Sequence, residues 1–193
     1  MNLPNKITTF RLVLTAIFIA VSIFGTQLTH LIALICFILA ALSDFLDGYL
    51  ARKLGLVTAL GKLLDPLADK ILVAAAFVHL TALGYCPAWL TATIIVREFL
   101  VTGLRQIAIE QGVVIPADKL GKWKTTFQMS YCIGLLFWLA FPPSSAKSLF
   151  HIFRPESLLI QILLYASLAT TVLSGWNYTW KSRKLFSDSN DVS

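Results

Sequence analysis

Asp44-Phe45-Leu46-Asp47-Gly48-Tyr49-Leu50-Ala51-Arg52, followed after eight residues by Gly61-Lys62-Leu63-Leu64-Asp65-Pro66-Leu67-Ala68-Asp69, sets four carboxylates into an otherwise strongly apolar chain. The protein has only ten acidic residues in all, so this cluster is what the remaining sequence must accommodate. On an α-helix, residues three or four apart share a face. Asp44 and Asp47 therefore point one way from a first segment, and Asp65 and Asp69 one way from a second. With one helix ending near Arg52 and the next starting near Gly61, the two run antiparallel. At about 1.5 Å per residue, Asp47 and Asp65 come roughly 6 to 8 Å from the turn, and Asp44 and Asp69 roughly 12 Å. The two pairs are level.

Four converging carboxylates shielded from water cannot all stay ionised without compensation. One or two divalent cations are the simplest neutraliser, and an all-oxygen donor set suits Mg2+ or Mn2+. With no cysteine or histidine in the cluster, zinc is disfavoured. The alternative is a set of helix-end carboxylates paired with Arg52, Lys53, Lys62 and Lys70. Ionisable groups are costly within a membrane segment and usually functional, which favours the metal.

Composition points to the membrane. The 193 residues are 57% hydrophobic and 13% charged, with a mean hydropathy of +0.76, outside the soluble globular range. The net charge of +6 gathers in short loops, so it reads as a topology signal and an attraction for membrane lipid, with no nucleic acid partner. Cys36, Cys86 and Cys132 lack metal-ligand spacing and an even count, and read as small apolar residues. His30 and His151 fall in expected turns and His79 in a helix; none is expected to be catalytic.

In chain order, Leu12 to Phe24 is an apolar run without a convincing cleavage site, expected to be a retained first span. Gly25-Thr26-Gln27 separates it from a second helix from about Leu31, carrying Asp44 and Asp47. A third helix runs from near Gly61 to about Leu83, with Pro66 in its first turns. The fourth span is Ala88 to Ile109, the fifth Thr125 to Phe141, and the sixth Leu158 to Trp180, where Trp176, Tyr178 and Trp180 suit an interfacial belt. The expected fold is an all-α integral membrane bundle of six transmembrane helices over residues 1–180, with a disordered polar tail at 181–193. Of the 16 lysines and arginines, all but Lys147 and Arg154 fall on the side holding both termini. The positive-inside rule makes that side cytoplasmic, and the carboxylates open towards it.

Written as Asp44-x-x-Asp47-Gly48-x-x-Ala51-Arg52, eight residues, Gly61-x-x-x-Asp65-x-x-x-Asp69, the central stretch resembles at every defined position the signature of the CDP-alcohol phosphatidyltransferase family. The six-helix bundle is similar to that family's fold. The resemblance implies transfer of a phosphatidyl group from CDP-diacylglycerol to an alcohol with release of CMP. It also implies two divalent ions held by Asp44, Asp47, Asp65 and Asp69, with Asp69 as general base. Gly48 and Ala51 would let the nucleotide approach the helix, though small residues also serve plain helix packing. Arg52, Thr58 and Gly61 would join them around CDP-diacylglycerol. Pro4-Asn5-x-x-Thr8-x-x-Arg11 looks like the segment that precedes the first helix in this family and helps enclose the nucleotide; capping by Asn5 or Thr8 is the plainer reading.

Arg97-Glu98-Phe99-Leu100-Val101-Thr102-Gly103-Leu104-Arg105, with Gly121-Lys122-x-Lys124-Thr125-x-x-Gln128, is similar to the branch of the family whose acceptor carries its own phosphate, sn-glycerol 3-phosphate. Arg97, Arg105, Lys119, Lys122 and Lys124 would bind that phosphate, with Glu98 paired to a neighbouring cation. Positive loops also fix topology without binding anything. The expectation is therefore a multi-pass inner-membrane enzyme making phosphatidylglycerophosphate, with a homodimer implied by resemblance. Its rivals are the same chemistry with inositol phosphate or another alcohol, and, from a different class, an ion or proton transporter whose carboxylates relay cations.

Overall fold

Gly25 breaks the long uncharged stretch after Arg11. Its φ of +60° is a conformation that side-chain-bearing residues avoid. The next helix then starts on a reciprocal cap. The Thr29 amide donates to Thr26 Oγ1 at 3.2 Å and the Thr26 amide to Thr29 Oγ1 at 2.9 Å, a capping box with threonine in the place of the usual glutamate. The computed structural model describes residues 3–54, 59–110, 112, 119–141 and 148–187. Within them, positions 3–6, 44–54, 59–66, 69, 110, 119, 148–150 and 181–187 are described by backbone alone.

Among these residues the chain forms six α-helices and no strand: α1 (Leu3–Ser22), α2 (Gln27–Leu54), α3 (Ala59–Ala82), α4 (Ala88–Glu110), α5 (Lys119–Ala140) and α6 (Leu158–Ser187), with a 3-10 turn at Ser148–Phe153. The end of α3 follows from Gly84, at φ +79°. Its amide donates to the Thr81 carbonyl at 3.0 Å and the Tyr85 amide to the Leu80 carbonyl at 2.9 Å, the paired bonds of a Schellman stop. Ser157 caps α6, accepting from the Ile160 amide at 3.3 Å.

Helix α2 packs against α1 and α5, α3 against α1 and α4, and α6 against α4 and α5. The core is built from Phe18, Phe37, Leu72, Phe77, Leu90, Ile94, Tyr131, Leu135 and Ile160, all buried. Phe77 and Tyr131 stack at 5.6 Å, and the Tyr131 hydroxyl donates to the Tyr85 carbonyl at 2.8 Å. That bond ties α5 to the α3–α4 turn. The outer surface is also apolar: Ile23 is 78%, Phe24 71% and Leu158 77% exposed, with Val96, Ile109 and Leu173 beside them in kind. Apolar side chains spread over the outside as well as the core suit a hydrocarbon surround. Among the described residues, one stretch, His151–Trp180, is long and apolar enough to cross a membrane, and Ile7–Ser22, Gln27–Ser43 and Lys70–Ala82 are shorter apolar helices.

Several boundaries differ from those expected. Helix α6 runs on to Ser187, seven residues into the expected tail, because Lys181-Ser182-Arg183-Lys184-Leu185-Phe186 contains good helix formers and puts positive charge at the helix's negative end. Pro4, Asn5, Thr8 and Arg11 belong to α1 and do not precede it; a proline in the first turn lacks only an amide that has no partner there. His30 lies in the first turn of α2 and is buried, and Lys119, Lys122 and Lys124 are on α5 itself.

Candidate functional site

Thr8, Arg11 and Thr15 lie three and four residues apart on α1 and share its buried face, each at most 2% exposed. The Thr15 hydroxyl donates to the Arg11 carbonyl at 2.9 Å. Arg11 is thus a fully buried guanidinium on the helix that packs against both α2 and α3. Those two helices carry the carboxylate motif. Asp44, Asp47, Gly48, Ala51 and Arg52 lie on α2, and Gly61, Asp65 and Asp69 on α3, where the backbone register keeps each carboxylate pair on one helical face. The side chains of this motif, like that of Asn5, lie outside the described residues, and so does Thr58 altogether.

One residue after Asp69, Lys70 lines a pocket of about 450 Å3 bounded by α3, α4, α5 and the end of α6. Arg97 and Arg105 from α4, Lys122 and Lys124 from α5 and Tyr178 from α6 complete its charged and aromatic wall. Among the lining residues five are cations and Glu98 is the one carboxylate. The pocket is strongly positive.

Glu98 is the hub of the wall. Arg97 Nη1 donates to Glu98 Oε1 at 3.3 Å, and Lys124 Nζ pairs with the same oxygen. Both cations and the carboxylate are nearly removed from solvent. A buried charge is strongly unfavourable unless paired, and this group of three keeps one net positive charge.

The far side of Arg97 rests on α6. Its Nη2 donates to Ser174 Oγ at 2.9 Å, and the Ser174 hydroxyl donates onward to the Thr170 carbonyl at 2.5 Å. The buried Tyr178 ring has Arg97 Cζ 5.8 Å and Arg105 Cζ 5.7 Å from its centroid, a cation–π platform for both guanidiniums. Gln128, fully buried, bonds through Nε2 to Thr171 Oγ1 at 3.2 Å and fastens α5 to α6 just above.

Of the five cations expected to bind a phosphate, Arg97, Arg105, Lys122 and Lys124 thus line one pocket; the Lys119 side chain lies outside the described residues. Lys70, Ser174 and Tyr178 were not singled out for this pocket from the sequence. Lys70 carries a signal in its place directly after Asp69, and Tyr178, with Trp176 and Trp180, reads from the sequence only as part of an interfacial belt.

A wall of this kind suits an anion of high charge density, such as a phosphate monoester. The all-carboxylate set on α2 and α3 suits a hard dication.

Comparison with known proteins adds an independent line. The family model described as CDP-alcohol phosphatidyltransferase matches residues 1–173. A CDP-diacylglycerol--glycerol-3-phosphate 3-phosphatidyltransferase of Bacillus subtilis (strain 168) is 39% identical, over 98% of this chain and 99% of its own. One of the same name from Rickettsia bellii is 32% identical over 96% and 97%. A probable phosphatidylglycerophosphate synthase of Mycobacterium tuberculosis is 35% identical over 92% of this chain and 79% of its own.

Proposed function

This chain belongs to the CDP-alcohol phosphatidyltransferase family, and on that footing we propose that it transfers the phosphatidyl group of CDP-diacylglycerol to sn-glycerol 3-phosphate, releasing phosphatidylglycerophosphate and CMP. The observation that carries the choice of acceptor is the pocket of Lys70, Arg97, Arg105, Lys122 and Lys124 directly beyond Asp69. An acceptor with a doubly charged phosphate needs such a wall; serine or free inositol does not. The names of the full-length relatives point to the same acceptor.

In this reading the acceptor's phosphate sits against Arg97, Arg105, Lys119, Lys122 and Lys124 and directs its free hydroxyl toward α3. Asp69 takes the hydroxyl proton as the oxygen bonds to the phosphorus that bears diacylglycerol. The phosphorus–oxygen bond to the cytidylyl half breaks, and CMP departs with the electron pair. Asp44, Asp47, Asp65 and Asp69 would hold two Mg2+ or Mn2+ ions, which supply charge neutralisation for the pyrophosphate when bound. Asn5, Thr8, Arg11, Gly48, Ala51, Arg52, Thr58 and Gly61 would enclose the CDP moiety; the burial of Thr8 and Arg11 on the α1 face supports their share in this.

The same reading makes all six helices membrane spans, with both termini and the site on the cytoplasmic side of the inner membrane and two copies forming a homodimer. The charge asymmetry of the loops supports the orientation.

The test is CMP release by purified protein in detergent with each acceptor in turn. Release driven by glycerol 3-phosphate, and not by inositol phosphate, inositol or serine, is the expected result. Release with inositol phosphate alone would keep the chemistry and reassign the pocket. Cation flux in vesicles without lipid turnover would restore the transporter.

A further inference from the structure

Arg97 reaches the cationic pocket by crossing directly over Gly175 of α6. A Cβ built on Gly175 would lie 3.0 Å from Arg97 Cγ, closer than the stem can tolerate without moving. The stem has little freedom to move, because its guanidinium is tied at both ends: Nη1 to Glu98 on its own helix and Nη2 to Ser174 on α6. The side chain is 10% exposed, and its Nε has no hydrogen-bond partner among the described residues. Two donors thus fix the group.

Lys124, from α5, is fixed by the same Glu98 oxygen. A single carboxylate therefore sets the spacing of two cations that come from different helices, α4 and α5. A flexible lysine or arginine loses side-chain entropy when it binds a ligand; one held in advance has lost it already.

We propose that Gly175 and Glu98 are positioning residues for the acceptor's phosphate: Gly175 leaves the gap that Arg97 crosses, and Glu98 holds Arg97 and Lys124 at a fixed separation. The inference rests on reading this pocket as the phosphate subsite of the acceptor. Neither residue contacts substrate in this account. Each acts through the cations it places.

Gly175→Ala is the more telling variant. Replacing glycine by alanine within a helix favours the helix itself, so any penalty the variant shows comes from the displaced Arg97 stem. The positioning role predicts a KM for glycerol 3-phosphate raised about tenfold, the loss of one charge-assisted hydrogen bond. KM for CDP-diacylglycerol and kcat should stay within about twofold. Glu98→Gln, which keeps the shape and removes the charge, should show the same split, and Arg105→Ala serves as the control for the subsite itself.

If Arg105→Ala raises KM for glycerol 3-phosphate selectively while Gly175→Ala leaves it unchanged, or while both Gly175→Ala and Glu98→Gln disturb the two substrates equally, the positioning role is wrong and the subsite stands. If Arg105→Ala has no selective effect, the subsite reading fails and the positioning role falls with it.

Discussion

Lys124 opens the course of α5 and Glu98 lies midway along α4, yet their side chains meet in a pair exposed by only 7% and 11%. In such surroundings a charge left alone is far more costly than a pair absent altogether. Glu98→Leu, which strands the Lys124 and Arg97 cations together, should therefore lower the thermal unfolding midpoint in detergent, by a loss of about 3 kcal/mol. Adding Lys124→Met to it, which leaves Arg97 as the one cation of the three, should recover part of the loss. A double-mutant cycle should give a coupling above about 1 kcal/mol; additive effects would show that the pair contributes nothing beyond its two parts.

Arg105 lies over the Tyr178 ring without an acidic partner among the described contacts of the pocket. Its charge is available to a ligand. Arg105→Ala should raise KM for glycerol 3-phosphate by about ten- to a hundredfold, the range for a lost charge-assisted hydrogen bond, and barely alter that for CDP-diacylglycerol. Steady-state kinetics with each substrate varied in turn checks this.

Asp69→Asn keeps the size and polarity of the side chain and removes its basicity. Turnover should fall by about a hundredfold or more, while binding of CDP-diacylglycerol, followed by calorimetry, weakens far less. Turnover near the parent rate would take the general-base role away from Asp69.

Removing divalent ions with a chelator should abolish turnover, and Mg2+ or Mn2+ should restore it. Activity that survives exhaustive chelation would remove the need for a dication beside the four carboxylates.

Tyr131→Phe removes the 2.8 Å bond to the Tyr85 carbonyl and keeps the ring stacked on Phe77. The expected cost is about 1 kcal/mol of stability with unchanged kinetics, measured by thermal unfolding beside activity.

The carboxylate motif was legible because its information is local: intervals of three and four residues state a helical face without reference to the rest of the fold. The break at Gly25 was legible for the same reason, and so was the end of the third helix near Leu83, since both depend on a backbone conformation that the following or intervening glycine adopts readily. The cationic wall was only half legible. Arg97, Arg105, Lys122 and Lys124 could be named from similarity, but Lys70, Ser174, Gly175 and Tyr178 join them through the packing of α3, α4, α5 and α6, which no local pattern encodes. The end of α6 was misjudged because its polar composition outweighed the helix-forming tendency of the same residues.

The most direct measurement supplies purified protein with radiolabelled glycerol 3-phosphate and unlabelled CDP-diacylglycerol in mixed micelles, and follows label in the lipid fraction beside CMP in the aqueous one. Phosphatidylglycerophosphate and CMP should form one for one, only with a divalent ion present. CMP formed without label entering lipid, or no CMP at all under these conditions, would contradict the proposed transfer.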